Sequence, residues 1–285
     1  MKRNMPSTPR KRRPLSRWKL VLLLLLLVLL IDGFFIEPIR LQVMHYAVIL
    51  PRLAPEFDGL RVVHLSDFHY GPSFVNTTQI RRAVELANAL QPDLILLTGD
   101  YVNRAGSAGR CARLLSGLHA RYGVIAVLGN HDYWTNHAAV TRALRSAGIT
   151  VLINEAVPIR RGKAHVWIAG LNDSREGHPN LVLTLDPIPA GEPTILLVHE
   201  PDVATITARA PVDLQLSGHV HGGQVRLPWI GAILTPFMGH RYPMGMYRVG
   251  DMQLYVSRGI GVTFPGSIRL NCRPEVTCLT LHSPK

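Results

Sequence analysis

Polar residues of a restricted kind recur just after short apolar runs in this chain: Asp67-Phe68-His69, Gly99-Asp100, Gly129-Asn130-His131-Asp132, His199, and Gly218-His219-Val220-His221-Gly222-Gly223. Carboxylates, imidazoles and a carboxamide with no thiolate among them suit Mn²⁺, Fe, Zn²⁺ or Mg²⁺ more than copper. Each residue alone has an ordinary explanation: an Asp after a strand commonly caps a turn, and a lone His is commonly a satisfied surface or core residue. Seven candidate ligands, Asp67, His69, Asp100, Asn130, His199, His219 and His221, at the ends of five expected strands are not independent accidents. On an extended chain residues i and i+2 point the same way, so Asp67 with His69 should reach one metal together, and His219 and His221 form a second such pair. The neighbours Asn130 and His131 should point apart, one toward metal and one toward substrate.

The elements that must position these residues read as alternating strands and helices. Leu60 to Ser66 is a strand; Asn76 with Gln79 resembles a capping box ahead of an apolar helix face at Ile80, Val84, Leu86, Ala87 and Leu90. Leu94 to Thr98 and Val124 to Leu128 are strands, and Ala112 to Leu118 and Ala138 to Ala147 helices. This βαβαβα order points to parallel strands with helices on the sheet faces, and in such sheets ligands bind at the carboxyl ends of the strands. The second half adds Ile149 to Leu152, Val166 to Ala169, Ile195 to Val198, Leu214 to Ser217, Leu254 to Ser257 and Val276 to Leu281, with few helices between. The expected fold is α/β: two packed mixed β-sheets flanked by helices and preceded by an N-terminal membrane helix.

The formal charge of +12 over 285 residues suggests nucleic acid until it is located. Lys2, Arg3, Arg10, Lys11, Arg12, Arg13, Arg17 and Lys19 supply eight of those charges, so no nucleic-acid partner is expected from the remainder. A basic run ahead of an apolar segment acts on membrane topology. Residues 20–36, interrupted only by Asp32 and Gly33, are roughly 25 Å long as a helix, and Trp18 and Lys19 can extend them at the interface. No small-x-small site follows, which argues against a cleaved signal peptide. Arg12-Arg13-Pro14-Leu15 matches a twin-arginine signal only in part. The reading is a basic cytoplasmic tail (1–19), a single-pass anchor (20–36), a Pro-punctuated connector or edge strand (37–56) and one catalytic domain (57–285), with the domain on the outer face by the positive-inside rule. Three cysteines, Cys111, Cys272 and Cys278, are too few for a disulfide framework; only the last two could pair, and all three read as small apolar filler.

The blocks DxH, GDxxN, GNHD, a later His and GHxHGGQ, in this order over residues 67–224, resemble the calcineurin-like binuclear metallophosphoesterase superfamily. The closing segments, Gly222 to Pro228, Tyr255 to Gly259 and Asn271 to Glu275, resemble its membrane-associated bacterial branch, some members of which cleave the pyrophosphate of UDP-2,3-diacylglucosamine. The resemblance implies a metallophosphoesterase sandwich in the bacterial inner membrane holding two divalent ions (Mn, Zn or Fe). Asp67, His69 and His221 would hold one, Asn130, His199 and His219 the other, and Asp100 would bridge them. His131 would protonate the leaving oxygen or steady the transition state, with Asp132 its orienting partner. Many members carry an aspartate where this chain has Asn103, a position that is not a metal ligand. Two close cations acidify a bridging water, and an imidazole near its ordinary pKa of about 6.5 suits leaving-group protonation.

Arg258, Arg269 and Arg273 are expected to grip phosphate, because a guanidinium fork matches its geometry. The apolar stretch Pro228 to Leu234 with Phe237 and Met238 reads either as core or as a lip that meets acyl chains or the membrane surface. The expected activity is hydrolysis of a phosphate ester or pyrophosphate on a lipid-linked or membrane-proximal substrate by a monomer. A non-catalytic metal-binding scaffold and a nuclease are the alternatives. A UDP-linked lipid would place the domain on the cytoplasmic face, against the charge reading.

Overall fold

The computed structural model describes residues 17–71, 74–263 and 268–284, so most of the expected basic tail lies outside the described residues. Helix α1 (Arg17–Ile31) continues through a π turn at Asp32–Ile36 and a 3₁₀ turn at Glu37–Ile39. The most apolar 18-residue window within Arg17–Ile39 has a mean hydropathy of 2.8, and the Leu-rich part is exposed all round. A helix apolar on every face has no aqueous side. Its 23 residues, roughly 35 Å of helix, are long enough to cross a hydrocarbon core of about 30 Å.

The strands and helices that follow are β1 (Gln42–Ile49), β2 (Leu60–Leu65), α2 (Phe74–Ala89), β3 (Leu94–Thr98), α3 (Ala108–Leu115), β4 (Val124–Val127), α4 (Asn130–Thr135), α5 (His137–Ser146) and β5 (Thr150–Val151). Then come β6 (Glu155–Arg161), β7 (Ala164–Gly170), α6 (Leu181–Leu185), β8 (Thr194–Leu197), α7 (Ala204–Thr207), β9 (Leu214–Ser217), the short pair β10 (Arg226–Leu227) and β11 (Gly231–Ala232), β12 (Gly245–Val249), β13 (Met252–Val256) and β14 (Glu275–His282). Two six-stranded sheets result, ordered β1-β14-β2-β3-β4-β5 and β12-β13-β9-β8-β7-β6. In each, four consecutive strands are parallel and antiparallel neighbours complete the sheet, which is the mixed two-sheet α/β architecture expected.

Strand periodicity explains how the sheets share a core. Leu94 and Leu96 face the inter-sheet core with Ile195, Leu197, Leu214 and Leu216, while Ile95 and Leu97 pack under α2, α3 and α5. The central strands are apolar on both faces because both faces are covered. All carboxyl ends of the parallel strands therefore meet at one rim, Ser66 to Tyr70, Gly99 to Tyr101, Leu128 to Asp132 and His199 from successive strands.

Several local expectations shift. Asn76 does not cap α2, which starts two residues earlier; its Oδ1 accepts from the Gly71 N–H, and Gln79 turns outward to the carbonyls of Pro38 and Ile260. Helix α3 lies four residues before its expected start and ends at Leu115, short of Gly117. Strands β6 and β12 are additional to the strands read from the sequence; both are sheet edges, where sequence alternation is weak and Pro158 is tolerated. The stretch 37–56 contains β1, paired in parallel with β14 over eight residues. Cys111, Cys272 and Cys278 are free and buried.

Candidate metal centre

The loops at the rim are not extended. Asp67, His69, Asp100, His219 and His221 all have φ between 44° and 71°, the left-handed region that non-glycine residues rarely adopt. Such strain collects at functional sites, where the surrounding structure over-determines it. The i, i+2 rule for strands therefore does not account for the pairing of Asp67 with His69. Left-handed turns bring them together, and they send His219 and His221 to different partners.

Nε2 of His69 and Nε2 of His221 lie 2.8 Å apart, and His221 Nε2 is 3.3 Å from Asp67 Oδ1. Asp100 Oδ2 is 3.5 Å from His69 Nε2 and 3.2 Å from His199 Nε2, so this one carboxylate faces both imidazoles. His219 sets its Nδ1 3.0 Å from the Asn130 carboxamide oxygen. The donor atoms of Asp67, His69 and His221, of Asp67, Asp100 and His199, and of His69, Asp100 and His131 each lie within 4.8 Å of one another. The seven expected ligands thus gather in one buried cluster.

Hydrogen bonds set the imidazoles for metal. Nδ1 of His69 donates to Asn103 Oδ1 at 2.7 Å and Nδ1 of His199 to the Thr98 carbonyl at 2.6 Å, so each ring turns its Nε2 toward Asp100. Nε2 of His199 is buried without a hydrogen-bond partner among the described residues. Nε2 of His219 donates to the Phe237 carbonyl at 2.8 Å, so its Nδ1 turns a lone pair on the Asn130 oxygen. Burial pushes His219 down to about 4, so no second proton resolves that encounter at neutral pH. Two lone-pair donors face each other there, and a cation between them fits. Asn103 emerges as the orienting partner of His69.

Burial alone pushes the carboxyls of Asp67 and Asp100 up, but surrounding imidazoles outweigh it, His221 and His199 foremost, and hold both below the usual carboxylate range. An anionic pair inside a ring of imidazoles is the electrostatics a divalent centre requires. Gly218 makes room for it: a side-chain carbon there would collide with Ser66 Oγ and Asp67 Oδ2.

His131 follows Asn130 in the first turn of α4 and edges both the His69 ring, at 4.6 Å between centroids, and Trp134, at 4.6 Å. Its backbone N–H donates to Asp100 Oδ1. Both it and Asn130 line the cavity, because helical neighbours 100° apart can share a concave wall. Asp132 differs from its expected role. Its carboxylate faces away from His131 and accepts the N–H groups of Asp100, Tyr101 and Gly129 at 2.9 to 3.0 Å, clamping two rim loops together. Burial, reinforced by the charge of Asp100, raises it to about 7.

The expected phosphate grip also differs. Arg258 pairs with Glu275; Arg269 is fully buried and donates to the carbonyls of Arg258, Gly261 and Cys272; Arg273 lies 3.5 Å from Glu37 beside the anchor. Structural acceptors thus engage all three. The guanidinium on the wall of the main cavity is Arg175, stacked 5.1 Å over the Trp134 ring. It follows β7 by five residues, and its place in the loop after a parallel strand was the one signal available for it. The cavity, about 640 Å³, runs from His69, Asp100 and His219 to Val225, Ile233, Leu234, Pro236 and Ile268.

The calcineurin-like phosphoesterase model matches residues 60–223. The metallophosphoesterase YkuE of Bacillus subtilis is 36% identical over 256 residues, 87% of this chain and 88% of its own. The phosphodiesterase YaeI of Escherichia coli is 37% identical over 230 residues, 78% and 82% of the two chains. The UDP-2,3-diacylglucosamine pyrophosphatase LpxG of Chlamydia trachomatis is 27% identical over 303 residues, 86% and 90%. The rim of buried carboxylates and imidazoles and these likenesses lead to one assignment: the chain belongs to the calcineurin-like phosphoesterase family, whose members are metal-dependent hydrolases.

Proposed function

We propose that this protein hydrolyses a phosphodiester or pyrophosphate bond in a lipid-linked or membrane-proximal substrate. The observation that carries the reading is the cavity itself, which places the metal-binding cluster and an apolar wall in one space, with Ile268 of that wall packed against the anchor at Gly33. A phosphoryl group and an acyl chain of one molecule fit its two sides. The named activities of YaeI and LpxG lie in the same range.

In this reading Asp67, His69 and His221 would hold one divalent cation and Asn130, His199 and His219 the other, with the Asp100 carboxylate facing both sets. Mn²⁺, Zn²⁺ and Fe all suit the donor set. When bound, such a pair withdraws charge from the phosphoryl oxygens and acidifies water. His131 meets the substrate as a neutral ring, because burial pushes its imidazole down to about 4. It donates a hydrogen bond to the departing oxygen, and an anionic phosphoryl group beside it raises its affinity for a proton. Arg175, on the same wall, faces a second phosphate or other anionic group. Asp132 holds the loops of Asp100 and Gly129 in register. The anchor sits in a bacterial inner membrane with the hydrolase unit on the outer face.

The test is hydrolysis by the full chain with added Mn²⁺, comparing a water-soluble diester, bis(p-nitrophenyl) phosphate, with acylated diesters and pyrophosphates in mixed micelles. The expected result is turnover of both kinds with kcat/KM rising with acyl length. Equal kcat/KM for acylated and unacylated substrates removes the lipid-linked reading, and no turnover of any ester removes the activity.

A further inference from the structure

Within the segment Leu227 to Phe237, residues Ile233 to Pro236 line the far wall of the cavity, yet most of the segment's large apolar side chains are exposed. Twelve large apolar side chains beyond residue 36 are exposed among the described residues, and six of them, Leu227, Trp229, Ile230, Ile233, Leu234 and Phe237, belong to this segment. Trp229 is fully exposed and Ile230 is 74% exposed. A cluster of this kind is a contact surface rather than scatter.

Its position is set by three consecutive backbone links. Gly33 of the anchor accepts the Arg269 N–H at 2.9 Å, Leu270 donates to the Gln224 carbonyl at 2.9 Å, and Arg226 donates to the Leu270 carbonyl at 3.0 Å. A side-chain carbon on Gly33 would lie 2.9 Å from Ile268 and 3.2 Å from the Arg269 carbonyl, so the helix touches the domain backbone there. Glu37 adds a bond from the Cys272 N–H. The base of the β10–β11 hairpin is therefore joined to the point where the anchor meets the domain.

We infer that this hairpin is a second membrane contact, whose tip at Trp229 and Ile230 enters the interfacial layer of the bilayer that holds the anchor. The occupant is lipid because the surface continues from the anchor's own docking point, and because an indole at the tip offers an apolar body with one N–H, the chemistry of the headgroup boundary. The backbone also suits that layer. Arg226 pairs with Ala232 and Leu227 with Gly231, while Ile230 and Ile233 donate to Pro228 and Val225, so these polar groups are satisfied inside the hairpin. Ile233 and Leu234 then line a mouth that opens onto lipid. The inference goes beyond hydrolysis and holds for either face of the membrane.

The test uses the full chain in phosphatidylcholine and phosphatidylglycerol vesicles with Ile230→Cys carrying an environment-sensitive fluorophore; the three native cysteines are buried and stay unlabelled in the folded protein. Lys163→Cys, in the exposed turn between β6 and β7 at the end of the sheet away from the site, serves as the aqueous reference. Expected are a blue-shifted emission at 230 and quenching by brominated lipid at least about 2-fold stronger than at 163, as interfacial burial requires. Equal quenching at the two positions overturns the inference, as does shielding that disappears on dilution of the protein, which indicates a second copy as the occupant. Hydrolysis of bis(p-nitrophenyl) phosphate by the same labelled samples separates the two readings: activity without lipid quenching defeats the membrane contact alone, and quenching without activity leaves it standing while the proposed hydrolysis fails.

Discussion

The two walls of the cavity are opposites in construction. On one, buried carboxylates and imidazoles are crowded to within hydrogen-bond distance on left-handed backbone, tied down by Asp132, Asn103 and Thr98. On the other, Val225, Ile233, Leu234 and Pro236 flank a short hairpin held by two residue pairs that exposes large apolar side chains. Each carries a different imbalance: the first concentrates electron pairs that a cation relieves, and the second leaves apolar surface that lipid or an acyl chain relieves. The pairing of these two imbalances in one cavity is what the proposed substrate class rests on.

The sharpest break in that comparison is on the polar wall. His131→Ala is expected to lower kcat/KM toward bis(p-nitrophenyl) phosphate by about 10²- to 10³-fold, the range of a lost hydrogen-bond donor to developing charge, with bound metal unchanged by atomic absorption. An activity loss accompanied by metal loss would place His131 among the ligands instead. Gly218→Ala should cost about 10- to 100-fold in metal affinity, as displaced support of a ligand does, because the new methyl meets Asp67; a metal titration followed by activity recovery measures it.

Asp132→Asn tests the clamp by stability. Leaving one of three buried N–H groups without an acceptor costs about 1–3 kcal/mol, read as a lower urea midpoint with unchanged m-value, and unchanged stability would show the loops hold without it. His64 adds a pH dependence below the site. It is fully buried with Nε2 on Thr98 Oγ1, and burial lowers it to about 3. The unfolded chain gains a proton near pH 6.5 that the folded one refuses, so the stability is full above that pH and falls by about 1.4 kcal/mol per pH unit toward pH 3. His64→Gln should flatten this part of the urea-midpoint profile between pH 6.5 and 4.

The smallest effect belongs to the apolar wall. Ile230→Ser should leave turnover of bis(p-nitrophenyl) phosphate in detergent within about 2-fold, since surface changes away from packed or ligating groups are nearly neutral. A larger loss would mean that the hairpin supports the polar wall and that the two walls are not separable.

The chain alone determined the candidate metal ligands and the parallel strands that carry them, because both leave local traces: an apolar run a few residues long, then a chelating side chain at its end. It determined the N-terminal apolar helix for the same reason, an apolar run being a property of neighbours in sequence. Tertiary structure decided everything that depends on partners distant in the chain. It assigned Arg269 to backbone carbonyls, Arg258 to Glu275 and Arg273 to Glu37, and left Arg175 on the cavity wall, although their guanidinium groups are chemically alike. It aimed Asp132 at the Asp100 loop instead of its neighbour, and it joined residue 33 to residue 269. Direction and burial of a side chain arise from which strands lie beside which, and in this protein β1 and the end of the N-terminal helix meet partners more than two hundred positions away.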